Sequence, residues 1–181
     1  MLEAEIKLRI DEEGADRLQR RLLQLGADTR AALEQRDLYL AHPSRNFAET
    51  DEALRLRLDD GGLRITYKGP KLDPPRKTRE EIEFPLGTKI ETAAALLERL
   101  GFVPVAEVVK ERQEFVLSGP PQAVVSLDRI EGLGSFCEIE VEAGSVEDGR
   151  ARLDDLSGRL GLADRPPIAE SYLELLLATT S

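Results

Sequence analysis

Residues 1–10 alternate strictly between apolar and charged side chains. Because successive side chains of a β-strand point to opposite faces, this segment predicts a strand with one apolar and one charged face. The apolar face carries the even-numbered residues from Leu2 to Ile10, and the charged face carries the odd-numbered residues from Glu3 to Arg9. Glu3 and Glu5 would lie roughly 6.5–7 Å apart along the charged face. Their carboxylates would repel each other unless both faced water or shared a cation.

The same alternation recurs along the chain, and helical periodicity separates several of its occurrences. Further strands are predicted over residues 34–40, 53–59, 63–68, 78–85, 104–117, 122–130 and 135–143. Amphipathic helices are predicted over residues 12–26, 88–101, 145–161 and 167–178. Asp60-Gly61-Gly62 is a hairpin signal, residues 43–51 indicate a polar loop with one helical turn, and residues 69–77 indicate a proline-rich loop.

These elements predict an α+β fold in which the charged faces point inward. The amphipathic helices need an apolar sheet surface to bury against, and the apolar strand faces supply it. Eight antiparallel strands can close into a barrel, which removes exposed sheet edges. We therefore expect a single domain over residues 1–181, with an eight-stranded antiparallel β-barrel, a charged lumen and helices packed on the outside. An open sheet with a solvated charged face is the alternative, but it explains less well why Arg and Glu are preferred to Thr, Ser and Gln.

The predicted lumen holds acids and bases together. An interior of this kind cannot be dry, because an unpaired buried charge costs several kcal/mol. Oxygen ligands without clustered His or Cys favour Mg²⁺ or Mn²⁺, and a row of basic side chains opposite them suits a polyphosphate chain. The lumen residues on this interpretation are the acids Glu3, Glu5, Glu81, Glu83, Asp128, Glu138 and Glu140, and the bases Lys7, Arg9, Arg55, Arg57, Arg64, Lys68, Arg79, Lys110 and Arg112.

Composition narrows the range of partners. The net charge of −10 disfavours a general nucleic-acid binder, and an aromatic content of 4% without Trp disfavours a base-stacking surface. No apolar run reaches the 18 residues of a membrane span. The acidic N-terminal sequence and the single cysteine, Cys137, lead us to expect a reducing, cytoplasmic location.

Several motifs, in order along nearly the whole chain, resemble those of the CYTH superfamily of triphosphate tunnel metalloenzymes, and specifically its class IV adenylyl cyclase branch. The signature Glu-x-Glu-x-Lys stands here as Glu3-Ala4-Glu5-Ile6-Lys7. The other matching stretches are Asp37-Leu38-Tyr39, residues 42–47, residues 50–57, residues 66–70, residues 79–83, residues 110–112, residues 127–140, and Ser171-Tyr172 with Leu175-Leu176.

The resemblance implies an eight-stranded tunnel, dependence on Mg²⁺ or Mn²⁺, and ATP or another triphosphate as the substrate. It also implies a homodimer, and a flexible lid in the proline-rich stretch after Lys71. Carried over by position, the metal-side acids would be Glu3, Glu5, Asp128, Glu138 and Glu140. The phosphate-binding residues would be Lys7, Arg55, Arg57, Lys68, Arg79, Lys110 and Arg112, and the catalytic residues would be Glu5, Lys68, Arg112 and Glu138.

Three functions remain open on the sequence, with class IV adenylyl cyclase the leading one. The others are hydrolysis of inorganic triphosphate, thiamine triphosphate or a nucleoside triphosphate, and non-catalytic binding of a nucleotide or polyphosphate. No adenine-specific motif is readable. His42 is expected to be structural and Cys137 to be a core residue, while Tyr39, Tyr67 and Tyr172 are expected to pack, with Tyr172 near a tunnel end.

Overall fold

The computed structural model describes residues 2–72, 78–119 and 122–179. Within them the chain forms nine strands and five helices. The strands are β1 (Leu2–Arg9), β2 (Asp28–Thr29), β3 (Leu33–Ala41), β4 (Ala53–Asp59), β5 (Gly62–Lys68), β6 (Arg79–Leu86), β7 (Val103–Leu117), β8 (Ala123–Ile130) and β9 (Gly134–Ala143). The helices are α1 (Glu12–Gln24), α2 (Phe47–Thr50), α3 (Ile90–Arg99), α4 (Val146–Leu160) and α5 (Tyr172–Thr179).

Eight of these strands close into an antiparallel barrel. The sheet order is β2-β7-β3-β4-β5-β6-β1-β9-β8, and pairing of β7 with β8 completes the ring. The two-residue β2 adds to the other edge of β7, where Asp28 pairs with Val116. The predicted closed barrel is therefore confirmed, and the open sheet is excluded.

Segment 166–170 reinforces the seam between β1 and β6. Only Leu2 and Glu3 of β1 pair with β6. Further along β1, the backbone N–H of Ile168 donates to the carbonyl of Lys7 at 2.8 Å, and Leu8 forms an isolated bridge with Pro167. This segment leads directly into α5, so the pairing fixes where that helix begins.

The apolar strand faces lie on the outside of the barrel, where helices cover most of them, although Ile82 and Phe84 of β6 remain exposed. The largest apolar cluster joins β1, β8 and β9 to α1 and α4, with Leu8, Leu22 and Leu153 each fully buried. A second cluster places α3 against β4 and β5 through Ala93, Leu56 and Leu63. Burial of each such large side chain stabilises the fold by roughly 1.5–3 kcal/mol. The opposite strand faces are thereby committed to the lumen.

Two elements differ clearly from the sequence prediction, β2 and the last helix. The strand β2 was not predicted, because two residues are too few to show a period. The last helix begins at Tyr172 and not at 167, because Pro166-Pro167 and the pairing of Ile168 with β1 keep that segment extended. The expected helical turn within 43–51 is present as α2. Residues 73–77 of the predicted lid lie outside the described residues.

Across the described ranges, no helix combines the length and the apolar character needed to cross a membrane.

Candidate functional site

A cavity of about 1110 Å³ occupies the lumen and extends to one end of the barrel, which we call the upper mouth. The upper mouth is framed by residues 42–52 between β3 and β4, by Lys71 after β5, and by residues 171–177 at the start of α5. Alternate residues of the strands turn their charges into this cavity, as predicted. The predicted charges that line it are Glu3, Glu5, Lys7, Arg55, Arg57, Arg64, Lys68, Arg79, Glu81, Glu83, Lys110, Arg112, Glu138 and Glu140.

Two residues of the predicted lumen set do not line the cavity. Arg9 is exposed at the rim, where its Nη1 donates to the carbonyl of Leu133 at 2.8 Å and its guanidinium stacks on Phe136. Asp128 is buried behind Arg112, and its carboxylate accepts hydrogen bonds from Nε and Nη2 of Arg112 at 2.7 and 2.5 Å. Arg9 was wrongly placed in the lumen because it is the last residue of β1, where its guanidinium reaches Leu133 and Phe136 at the rim and not the cavity.

Glu3, Glu5 and Glu140 form the acidic side of the lumen. The pairing of β1 with β9 sets Glu5 directly beside Glu140. Burial and the charge of Glu140 raise the pKa of Glu3 to about 9, and burial and the charge of Glu5 raise the pKa of Glu140. Glu81 differs: burial alone would raise its pKa, but the charges of Lys68 and Arg55 outweigh burial and lower it. The acidic side is therefore short of positive charge.

A hard divalent cation suits the donor chemistry of this acidic side. Its ligands would be carboxylate oxygens, which Mg²⁺ and Mn²⁺ prefer, and bound positive charge would relieve the repulsion between Glu3, Glu5 and Glu140. Among the residues that the structure describes, however, no three acidic, His or Cys side chains converge closely enough to hold a metal ion. The five predicted metal-side acids also divide: Glu138 accepts from Arg112 at 2.5 Å and lies 3.4 Å from Lys7, and Asp128 is bound by Arg112.

Asp37 organises the basic side of the lumen. Its carboxylate accepts from Nε and Nη2 of Arg57 at 2.6 Å each, and from Nη1 of Arg55 at 3.4 Å. Burial would raise the pKa of Asp37, but the two guanidinium charges hold it far below its ordinary range. Both arginines are therefore fixed in the wall of the cavity with N–H donors directed along it.

Tyr172, the first residue of α5, contacts the basic side of the lumen. Its hydroxyl donates to Asp128 at 2.9 Å, and the ammonium of Lys7 lies 3.7 Å from the centre of its ring. The fully buried Lys110 lies on the same side, 5.2 Å from that ring centre. Burial and the charge of Arg112 lower the pKa of Lys110 to about 8. The basic side therefore consists of closely spaced cations, each of which gains from a bound anion.

Sequence reasoning gave Asp37 no role in the site, although Asp37-Leu38-Tyr39 is one of the matching motifs, and expected Tyr172 to pack near a tunnel end. The signal for Asp37 was available, since Gln35, Asp37 and Tyr39 share one face of a predicted strand, but that strand was not divided into faces. The role of Tyr172 had no local signal, because the hydroxyl reaches Asp128 only through the path of segment 166–170.

An apolar recess adjoins the charged lumen at the upper mouth. The pairing of β3 with β7 shifts register there: Tyr39 pairs with Ala106 and Leu40 with Pro104, which leaves Val105 as a bulge. Bulges re-aim side chains, and Val105 lines the cavity although its side chain is 43% exposed. Phe47, Leu173 and Leu177 line the same region. The upper mouth can therefore accept an uncharged group beside the charged one.

Comparison with known proteins decides the family. The sequence profile of the CYTH domain matches residues 1–172. This chain belongs to the CYTH domain family. A Methanocaldococcus jannaschii protein named "Putative adenylate cyclase MJ0240" is 36% identical over 178 residues, which is 97% of this CYTH chain and 98% of the relative.

Solved structures show the same CYTH barrel. The PH1819 protein from Pyrococcus horikoshii OT3 is 34% identical, with a TM-score of 0.86 and coverage of 98% of this chain and 99% of that one. HpAC1 from Hippeastrum, described as a "Putative adenylyl cyclase" with "a dominant triphophatase activity", shares the fold at 17% identity and a TM-score of 0.70, over 98% of this chain and 95% of that one.

Proposed function

We propose that this CYTH protein is a divalent-metal-dependent adenylyl cyclase that converts ATP to 3′,5′-cyclic AMP and pyrophosphate. The observation that carries the proposal is a cavity lined by Glu3, Glu5 and Glu140 on its acidic side and by lysines and arginines on its basic side, with apolar side chains at its mouth. A polyphosphate chain needs such cations, and the name of the Methanocaldococcus relative supports the cyclase reaction.

The basic residues would hold the triphosphate. They are Lys7, Arg55, Arg57, Lys68, Arg79, Lys110 and Arg112. In the structure several of them are bound to carboxylates, as Arg112 is to Asp128 and Glu138 and Lys68 is to Glu81. Phosphate oxygens would take up some of their N–H donors, and the guanidinium groups would stabilise the charge on the phosphoryl oxygens and on the leaving pyrophosphate.

The acidic residues would serve the attacking group. Mg²⁺ or Mn²⁺ held by Glu3, Glu5 and Glu140 would supply charge neutralisation and activation of the hydroxyl. The other two predicted metal-side acids, Glu138 and Asp128, would join them only by releasing Arg112, to which both are bound. In the reaction the 3′-oxygen of the ribose bonds to the α-phosphorus, the bond from that phosphorus to the bridging oxygen breaks, and pyrophosphate leaves. Glu5 is the proposed acceptor of the hydroxyl proton, while Lys68, Arg112 and Glu138 hold the reacting groups in place.

The apolar recess favours an organic triphosphate over inorganic tripolyphosphate. Ala53 and Arg55 both line the cavity from the same face of β4, where successive positions are roughly 6.5–7 Å apart. A ring system attached to the phosphate chain would remove Val105 and Leu177 from water, whereas inorganic tripolyphosphate would leave both exposed.

Triphosphate hydrolysis is the second candidate. The residues that would bind the phosphates can be named, whereas the lumen does not define where a ribose hydroxyl would lie. A water molecule could attack the terminal phosphorus of a triphosphate bound in the same way. In HpAC1 from Hippeastrum the same fold carries a dominant triphosphatase activity, which supports hydrolysis as the alternative.

One product assay separates these functions. Purified protein is incubated with ATP, tripolyphosphate or thiamine triphosphate, each with Mg²⁺ or Mn²⁺. Cyclic AMP with pyrophosphate is the expected result; orthophosphate alone would indicate a hydrolase, and binding without turnover would indicate a non-catalytic module. Glu138→Ala should abolish turnover while keeping a folded circular dichroism spectrum. Arg36→Ala, which alters an exposed ion pair with Glu107 on the outer face, should retain activity.

A further inference from the structure

Asp51 has a left-handed backbone conformation, which is uncommon for a residue other than glycine. It lies at φ 54° and ψ 38°, and among the described non-glycine residues it is the one with positive φ. It follows the short helix α2 at the upper mouth, a position where glycine has no steric penalty. A side chain retained in this conformation suggests a role for its carboxylate.

The carboxylate of Asp51 holds Lys71 at two points. Oδ2 accepts from the backbone N–H of Lys71 at 2.8 Å, and Oδ1 lies 2.9 Å from its ammonium. Burial would raise the pKa of Asp51, but the hydrogen bonds from Lys71 outweigh burial and lower it. Asp51 therefore fixes both the backbone and the charged end of Lys71.

Lys71 is directed into the cavity and not into bulk water. Its side chain is 10% exposed, although it lies on a loop, and it lines the same cavity as Lys68 and Arg79. Backbone hydrogen bonds hold its neighbours against β6: Gly69 donates to Glu80 at 2.9 Å, and Leu72 donates to Thr78 at 2.7 Å. A lysine on a surface loop normally extends its ammonium into solvent, so this placement requires the partner that Asp51 provides.

We propose that Lys71 is a further phosphate-binding residue at the upper mouth, and that Asp51 is the residue that positions it. The proposal rests on the proposed function, because it needs a triphosphate in the lumen. An ammonium has three N–H donors, so Lys71 can bind a phosphate oxygen while it remains bound to Asp51. It would hold the phosphoryl group closest to the upper mouth, beyond the reach of the cations deeper in the barrel.

Calorimetric titration with tripolyphosphate and Mg²⁺ tests the proposal. Lys71→Met removes the charge and keeps the length of the side chain, and we expect binding to weaken about tenfold, the effect of losing one charged hydrogen bond. Lys71→Arg should restore most of the affinity. Lys89→Met, an exposed lysine at the start of α3, is the matched control and should bind like the wild type.

Asp51→Asn tests the positioning role, since Asn tolerates the same backbone conformation. If Asp51 acts through Lys71, it should weaken binding severalfold on its own and have no further effect when combined with Lys71→Met. When the triphosphate is a substrate that the protein converts, both single variants should raise KM and leave kcat nearly unchanged. A purely structural pair would alter thermal stability without this split.

The outcomes separate the inference from the proposed function. Wild-type protein that binds neither tripolyphosphate nor ATP in the presence of Mg²⁺ overturns both. Wild-type binding together with an unchanged affinity of Lys71→Met overturns the inference alone. Full additivity of Asp51→Asn and Lys71→Met would show that Asp51 does not act through Lys71.

Discussion

Glu3 is a lumen carboxylate that burial and like charge keep protonated near neutral pH. Its pKa is raised to about 9, mainly by burial and then by the charge of Glu140. Between its ordinary value of 4.5 and about 9, the folded protein retains a proton that the unfolded chain has lost. The stabilisation from this proton is complete below pH 4.5 and is lost as the pH rises through 9.

We therefore predict that, without divalent cations, the melting temperature falls as the pH is raised from about 5 to about 9, the interval set by the two pKa values. Glu3→Gln should make this decline shallower. Part of the decline should remain, because the pKa of Glu140 is also raised. Differential scanning calorimetry across the pH range measures both.

Glu13→Gln is the control for that series, because Glu13 is an exposed carboxylate on α1 and should leave the slope unchanged. Added Mg²⁺ should stabilise the wild type more at high pH than at low pH, because it competes with the proton for the carboxylates. A Glu3→Gln protein with the full wild-type slope would contradict this account.

The alternation within each strand was enough to predict much of the lumen. It places Glu5 and Lys7 of β1, and Arg57 of β4, on the charged faces of their strands without any knowledge of the neighbouring strands. What alternation could not provide was pairing. The contact of Asp37 with Arg57 and that of Tyr172 with Asp128 join residues that only the closed barrel brings together. Such contacts depend on register and on chain path, and neither is encoded in the local pattern.

At the scale of elements, α4 shows how closely a helix approaches the barrel. Gly149 is buried in α4, and a Cβ at this position would lie 2.7 Å from Cβ of Ala4 on β1 and 3.3 Å from Cβ of Ala143 on β9. Gly158, in the same helix, is exposed and has no atom within 4 Å of such a Cβ. The two glycines therefore have different physical reasons for being there.

Substitution by alanine should have opposite effects at these two sites. Gly149→Ala forces α4 away from β1, and we expect it to destabilise the protein by about 1–3 kcal/mol. Gly158→Ala removes backbone freedom from the unfolded chain without a clash, and should stabilise by about 0.5–1 kcal/mol. Urea unfolding at fixed pH measures both, and a stabilising Gly149→Ala would show that the helix does not pack this closely.

The predicted elements succeeded where the periodicity was long and failed where tertiary pairing decided the conformation. Helix α1 and strands β4 and β9 follow their patterns closely. Segment 166–170 does not become helical, because β1 offers it backbone partners, and Val105 becomes a bulge because of its pairing with β3 and not because of its own sequence.

At the scale of the whole molecule, the barrel wall is apolar outside and ionic inside. Buried ion pairs such as Arg112 with Asp128 are weak sources of stability, because desolvation offsets much of their attraction. The charged residues of the lumen therefore add little to the stability of the fold by themselves. A bound polyanion with a divalent cation would supply the opposite charges that they lack. Binding of such a ligand should therefore also raise the free energy of unfolding of the whole protein.

We predict that tripolyphosphate with Mg²⁺ stabilises the whole protein against heat. A ligand at 100 times its Kd contributes about 2.7 kcal/mol, which for a chain of this size corresponds to a rise of roughly 5–10 °C in melting temperature. Lys68→Ala should reduce the rise, because Lys68 lies between Glu81 and Glu3 in the lumen, 4.0 Å from Glu3. Lys89→Ala should not reduce it. The prediction fails if sulfate at equal ionic strength gives the same rise, or if Lys68→Ala responds like the wild type, since either result would place the anion outside the barrel.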